Sequence, residues 1–188
     1  MTGGFDNIFI GLVHYPVYNK RGEIVVTSIT TLDIHDIART AKTYGIVRFY
    51  IITPLTVHRK LVERILTHWL EGYGAEYNPT RREAFLNVVS ARGLAEVAED
   101  IRQKTGKIPK IVVTDARRYP ESIGFDGLKK ELKKADAFLL LFGTGWGLER
   151  DIINRADYRL EPVEGVTDYN HLPVRGAVAI ILDRLLGR

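Results

Sequence analysis

Short apolar runs rich in β-branched residues alternate with longer amphipathic segments along this chain, and that alternation restricts its fold more than any other feature. "NIFIGLV", "IVRFYIIT", "FLNVVS", "KIVVTDA" and "DAFLLLFG" are apolar on both faces, as strands are when both sides of a sheet are covered. Between them lie "IHDIARTAKTYG", "PLTVHRKLVERILTHWLEGYG", "GLAEVAEDIRQKTG" and "FDGLKKELKKA", whose apolar residues recur at helical spacing. "LERDIINRA", "YRLEP" and "VRGAVAIILDRLLG" continue the pattern to the end. This order implies the α/β class: a mostly parallel sheet with helices on both faces. Gly45 and Gly106 stand where helix C-caps belong, and Pro54 follows a strand where a helix opens. "YNKRGEIVVTSIT" reads as a turn, Asn19 to Gly22, followed by a short strand or extended arm. Without linker, repeat or low-complexity tract, residues 1–188 are expected to form one domain.

Ligands of open parallel sheets bind in the crevice outside the carboxyl ends of the strands. Three such ends carry turn chemistry: "IITP" with Thr53 and Pro54, "FGTGWG" from Phe142 to Gly147, and "LEP" with Leu160 and Pro162. The glycine cluster is not a dinucleotide fingerprint, because Gly143-x-Gly145-x-Gly147 is one residue short and the first strand ends in "GLVHYPV" with no glycine turn. No Gly-Lys-Ser/Thr follows any strand, so a P-loop is absent too. Trp146 inside the cluster is more easily explained as a surface for a flat ligand than as part of a plain tight turn.

The chain has no cysteine, which excludes thiol nucleophiles, thiolate metal sites and disulfides. Its five histidines show no i, i+4 pairing, so no metal is assigned. No leader-like N-terminus or spanning apolar run is found, and a cytoplasmic protein without a membrane partner is expected. A net charge of +4 fits a polyanionic partner. The doublets Arg81-Arg82 and Arg117-Arg118 sit beside turn residues and are candidates for phosphate contacts, whereas "GLKKELKK" reads as a solvated helix face. Trp69, in register with Val62, Ile65 and Leu66, is expected in the core or at a dimer interface.

"FLLLFGTGWGL", "YRLEP" and "YNHLPVRGAVAIILDRLLG", in that order, resemble the last motifs of the SPOUT superfamily of S-adenosylmethionine-dependent RNA methyltransferases. "DIHDIARTAKTYGIVRFYIITP" is similar to the first motif of its SpoU-like branch. The resemblance implies a C-terminal deep trefoil knot, S-adenosyl-L-methionine as cofactor, structured RNA (tRNA or rRNA) as substrate, and a homodimer. It also implies roles for particular residues. Arg39 matches the arginine that holds the target phosphate and assists the hydroxyl; Asn170 could orient the acceptor and His171 could take a proton. The cofactor segments implied are Thr53 and Pro54; Phe142, Gly143, Thr144, Gly145, Trp146 and Gly147; Leu160 and Pro162; and Tyr169, Asn170, His171, Leu172 and Pro173. Asp33, Gly145, Pro173 and Arg175 replace the asparagine, glutamate, asparagine and serine usual in the SpoU branch. A ribose 2′-oxygen is favoured as methyl acceptor. The alternatives are guanine N1, with Asp168 or Asp33 as base, and a knotted RNA-binding module without turnover.

Overall fold

The computed structural model describes residues 7–188. In chain order its elements are β1 (Ile8–Val13), β2 (Val17–Tyr18), β3 (Ile24–Val25), α1 (Thr31–Thr43), β4 (Arg48–Ile52), α2 (Thr56–Leu70), α3 (Tyr73–Tyr77), α4 (Pro79–Phe85), β5 (Val88–Ala91) and α5 (Leu94–Thr105). There follow β6 (Lys110–Val113), β7 (Ser122–Ile123), α6 (Phe125–Leu132), β8 (Phe138–Gly143), α7 (Arg150–Arg155), β9 (Tyr158–Leu160) and α8 (Val174–Leu186). Seven strands form one sheet in the order β5-β4-β1-β8-β6-β9-β7, and every neighbouring pair is parallel.

The two-sided burial expected from the apolar runs is realised residue by residue. Ile8, Ile10 and Leu12 of β1, with Phe138, Leu140 and Phe142 of β8, face the helices α1, α2, α4, α6 and α8. The intervening Phe9, Val13, Leu139 and Leu141 face α5 and α7. Period-2 alternation puts both sets in core, so neither face of the central strands can carry polar side chains. Trp69 packs half-buried on the first cluster, beside Phe85 and His35.

Local signals explain the helix ends. The Thr30 hydroxyl oxygen accepts from the Asp33 amide and caps α1. Gly106 ends α5 in the left-handed region, at φ 73°. Replacing Gly106 by Ala imposes that strain on a side-chain-bearing residue, and we expect a loss of about 1 kcal/mol in urea unfolding, with no change in ligand binding.

Two segments differ from the sequence reading. The stretch read as one long helix followed by the strand "FLNVVS" contains two further short helices, α3 and α4, and Phe85 closes α4 fully buried instead of opening a strand. Asn78 accepts from the Arg81 amide and Pro79 occupies the first turn, which is why a new helix starts there. The arm after Asn19–Gly22 is half of an antiparallel hairpin, β2 with β3, turning through Gly22 at φ 77°. Pro54 precedes α2 by two residues rather than opening it.

From β1 the chain steps outward to β4 and β5, then returns to the other side through β6 and inserts β8 beside β1. The connections leaving β1 and β8 diverge at this reversal, which opens a crevice above their carboxyl ends.

Candidate functional site

A cavity of about 810 Å³ lies at that reversal, within the range that holds a small organic ligand. A second, of about 170 Å³, is lined by Leu94, Ile111 and Ile152 with Asp151 and Arg155 at the start and end of α7. The larger cavity has three walls, each from a different part of the chain.

The first wall is the glycine loop. β8 ends at Gly143, where a Cβ would come within 2.8 Å of the Leu148 backbone nitrogen. Gly145 and Gly147 take φ of 59° and 97°, and the β2–β3 hairpin clamps the loop: Trp146 N–H donates to Tyr18 O at 2.8 Å and Tyr18 N–H to Gly147 O at 3.0 Å. The loop is therefore a rigid ledge of exposed backbone. Only glycine allows that path. Trp146 stands on it with 60% of its surface exposed.

The second wall is the tail, Tyr169 to Val174 with Val163, which leads into Ala177 and Ile181 of α8. It is tied down at two points. The Asn170 side-chain amide donates to Ala116 O at 2.8 Å, and Arg175 reaches Asp33 at 3.1 Å and Asp36 at 3.5 Å on α1. Asp33, nearly buried, also accepts from the Thr30 hydroxyl at 2.6 Å. The arginine and aspartate that depart from the SpoU pattern are thus partners in one ion pair.

The third wall is the loop after β6, Thr114 to Arg117, which the sequence reading did not place in the cofactor site. Thr114 donates its hydroxyl to Leu141 O at 2.9 Å, fixing the loop to β8. Burial alone would raise the Asp115 carboxyl. The guanidinium and amide of Arg117, with the Tyr119 hydroxyl, outweigh it and hold the carboxyl below the usual range. Tyr119 is pushed up to about 12 by burial and by the same carboxylate.

Of the sequence-derived residues, Phe142, Gly143, Thr144, Gly145, Trp146, Gly147, Tyr169, Asn170, His171, Leu172 and Pro173 all line this cavity. Four do not. Thr53 and Pro54 lie at the end of β4, one strand beyond β1, with Thr53 buried against His58. Leu160 is buried in the core and Pro162 just after it, while Val163 supplies the contact from that segment. Arg39 is exposed on α1, away from the lining residues, on the flank that also carries His35 and Lys42, whose partners Arg81 and Glu83 belong to α4. Asp168 is exposed and outside the lining.

Beneath the floor lies His14, buried, with Nδ1 3.1 Å from the Thr27 hydroxyl. Thr27 in turn meets the Thr144 hydroxyl, which donates to Val13 O at 2.9 Å. Assigning the Thr144 proton to Val13 O makes Thr27 the donor to Thr144 and the acceptor from His14 Nδ1–H, with the lone pair on Nε2. That atom has no hydrogen-bond partner among the described residues. Among those residues, too, no three His, Asp or Glu side chains converge as a metal site.

These residues suit an adenosyl group: a glycine ledge that a Cβ would obstruct, exposed backbone for a heterocycle edge, an aromatic on the rim, and apolar Phe142, Val163 and Ile181 behind.

Known proteins give an independent view. Residues 7–187 match the family described as SAM-dependent RNA methyltransferase. A protein of Aquifex aeolicus (strain VF5) that carries no functional name is 48% identical over 184 residues, covering 97% of this chain and 90% of its own length. A protein of Oleidesulfovibrio alaskensis named tRNA (guanine-N(1)-)-methyltransferase is 42% identical over 181 residues, which are 96% of this chain and only 42% of that protein. The SpoU methyltransferase AviRb from Streptomyces viridochromogenes, in complex with the cofactor AdoMet, shares the fold with a TM-score of 0.59 at 16% identity, covering 96% of this chain and 57% of that one.

Proposed function

The chain belongs to the SAM-dependent RNA methyltransferase family, and from that premise we propose that it methylates a ribose 2′-oxygen of structured RNA, tRNA or rRNA, as a homodimer. S-adenosylmethionine is its methyl donor, and when bound it supplies both the electrophilic carbon and the leaving group. The protein has then to orient the nucleophile, keep water out and take the acceptor proton, for which His171 on the crevice wall is the group at hand. On this reading the ledge from Gly143 to Gly147 and the segment from Tyr169 to Pro173 hold the adenosyl group between them, in a crevice closed by a tail that threads the knot the family resemblance implies.

One observation carries the choice of a ribose oxygen. Methylation at guanine N1 calls for a carboxylate free to take the N1 proton. Both carboxylates lining the crevice already accept hydrogen bonds on both oxygens, Asp33 from Arg175 and Thr30, Asp115 from Arg117 and Tyr119. Asp168 stays outside. The second reading, guanine N1, rests on the name of the Oleidesulfovibrio relative, but the matched segment is 42% of that protein, and the larger remainder is long enough to house the named activity. Arg39, exposed on its own α1, fits a catalytic role most readily at the crevice of a second copy, which is one reason to include the homodimer.

Nucleoside mass spectrometry of tRNA and rRNA pools after incubation with isotopically labelled cofactor tests the proposal. A labelled 2′-O-methylnucleoside is the expected product. Labelled 1-methylguanosine in its place would overturn it in favour of the second reading.

A further inference from the structure

Arg117 has a setting that enclosing a cofactor does not explain. Asp115 has 7% of its side chain exposed and commits both oxygens. Oδ1 accepts from the Arg117 amide at 3.0 Å and from Nε at 3.1 Å, and Oδ2 accepts from Nη2 at 2.8 Å and from the Tyr119 hydroxyl at 2.7 Å. The guanidinium is thus gripped along one edge and its plane is fixed. Its other edge is unengaged: Nη1 has no hydrogen-bond partner among the described residues, and 55% of the side chain is exposed. It stands on the crevice rim beside Gly147, where a Cβ would come within 3.4 Å of Nη2.

An ion pair this exposed on its cationic side adds little to stability, so holding the fold together is a poor explanation for it. What the grip does accomplish is removal of the arginine's rotamer freedom before any ligand arrives, which lowers the cost of the next hydrogen bond. Arg118 and Arg175 contrast with it, since each turns nitrogens to two carboxylates, Glu161 with Glu164 and Asp33 with Asp36. The same rim exposes two aromatics, Trp146 at 60% and Tyr169 at 74%. A planar cation with one free N–H edge, placed among exposed rings at a crevice mouth, is suited to an unstacked nucleotide, its phosphate on the guanidinium and its base on a ring.

We propose that Arg117 binds a phosphodiester oxygen of the RNA strand entering the crevice, with Asp115 and Tyr119 as the residues that position it. This rests on the RNA methyl-transfer reading above. The test uses the full chain and bulk tRNA, with affinity measured between about 50 and about 200 mM salt, alongside S-adenosylhomocysteine affinity by calorimetry. Arg117→Ala is expected to weaken RNA binding five- to tenfold at low salt and to lower the slope of log affinity against log salt by about 0.7–0.9, one phosphate contact. Affinity for S-adenosylhomocysteine should fall less than affinity for RNA. Arg117→Lys keeps the charge and loses the fork, so the slope should return towards wild type while affinity stays several-fold low. Arg117→Gln serves in place of the alanine variant if that one unfolds. An unchanged slope in Arg117→Ala, beside a wild type that transfers methyl groups, overturns the phosphate contact alone. Tenfold weaker S-adenosylhomocysteine binding with RNA binding intact overturns it too and assigns Arg117 to the cofactor. A wild type that neither binds nor methylates RNA overturns the parent reading as well.

Discussion

A chain carrying Gly143→Ala should fold and yet bind S-adenosylhomocysteine about five- to a hundredfold more weakly than wild type. The new methyl would meet two backbone atoms, the Leu148 nitrogen at 2.8 Å and the Gly147 carbonyl carbon at 3.1 Å, and the Leu148 Cγ at 3.1 Å. Neither residue can move aside. Leu148 is fully buried and bridged to Val17, and Gly147 is held by the Tyr18 amide. The ledge as a whole must shift, and overpacking of this kind costs about 1–3 kcal/mol. Because the displaced atoms are those proposed to contact the ligand, most of that cost should be expressed in binding, where about 1.4 kcal/mol is a factor of ten. Gly165→Ala is the matched control, since a Cβ there meets nothing within 4 Å. Calorimetric titration of both variants decides the matter. Equal affinities for Gly143→Ala and wild type would mean that the glycine cluster is only a turn and that the adenosyl group sits elsewhere.

The cluster was legible in the sequence because the constraint behind it is local. Three glycines around an aromatic, directly after a wholly apolar strand, can be read without knowing what packs on them; Gly145 and Gly147 take positive φ, and the loop lines the cavity. The parallel sheet was legible for the same reason: both faces of β1 and β8 are apolar in the sequence and buried in the fold. The start of α4 could have been read as well, since Asn78-Pro79 is a cap followed by a first-turn proline, but the apolar "FLNVVS" after it suggested a strand. The third wall could not. "TDARRY" has no periodicity, and its role depends on β6 lying beside β8, a neighbour relation set by the crossover and not by nearby residues. Thr53, Pro54 and Leu160 failed in the opposite direction. Each stands at a strand end as expected, but β4 lies one strand outward of β1 and β9 two strands outward of β8, and the cavity draws its third wall from the loop after β6 instead. Arg39 shows a third kind of limit, because motif spacing fixes its turn on α1, whereas its distance from a crevice depends on how α1 packs.

His14 should make the fold sensitive to mild acid. Its side chain is buried, and desolvation, reinforced by His58 and only partly opposed by Asp33 and the Thr27 contact, lowers its pKa from 6.5 to about 4. Above pH 6.5 the imidazole is neutral whether the chain is folded or not, so the full stability is present. Between 6.5 and about 4 the unfolded chain takes up a proton that the folded chain refuses, and stability falls by about 1.4 kcal/mol per pH unit, about 3 kcal/mol across the window. Below about 4 both states are protonated and the loss levels off. Carboxylates titrate over part of the same range, so the wild-type profile alone would not isolate the imidazole. His14→Asn does so. The asparagine amide can replace Nδ1–H as donor to Thr27, keeping the chain through Thr27 and Thr144 to Val13, and it has no group to protonate near neutrality. Urea unfolding of the two proteins at pH 7.5 and pH 4.5 should show wild type losing about 2–3 kcal/mol more than the variant over that interval. Parallel profiles would mean that the folded chain accommodates an imidazolium at this position, and hence that Nε2 has a proton-tolerant path to solvent. The same pair of proteins separates the two nitrogens in catalysis. If His14 serves only to brace the floor through Nδ1, the asparagine variant keeps wild-type methyl transfer at every pH. If the Nε2 lone pair takes part, its loss lowers the rate while S-adenosylhomocysteine affinity stays unchanged.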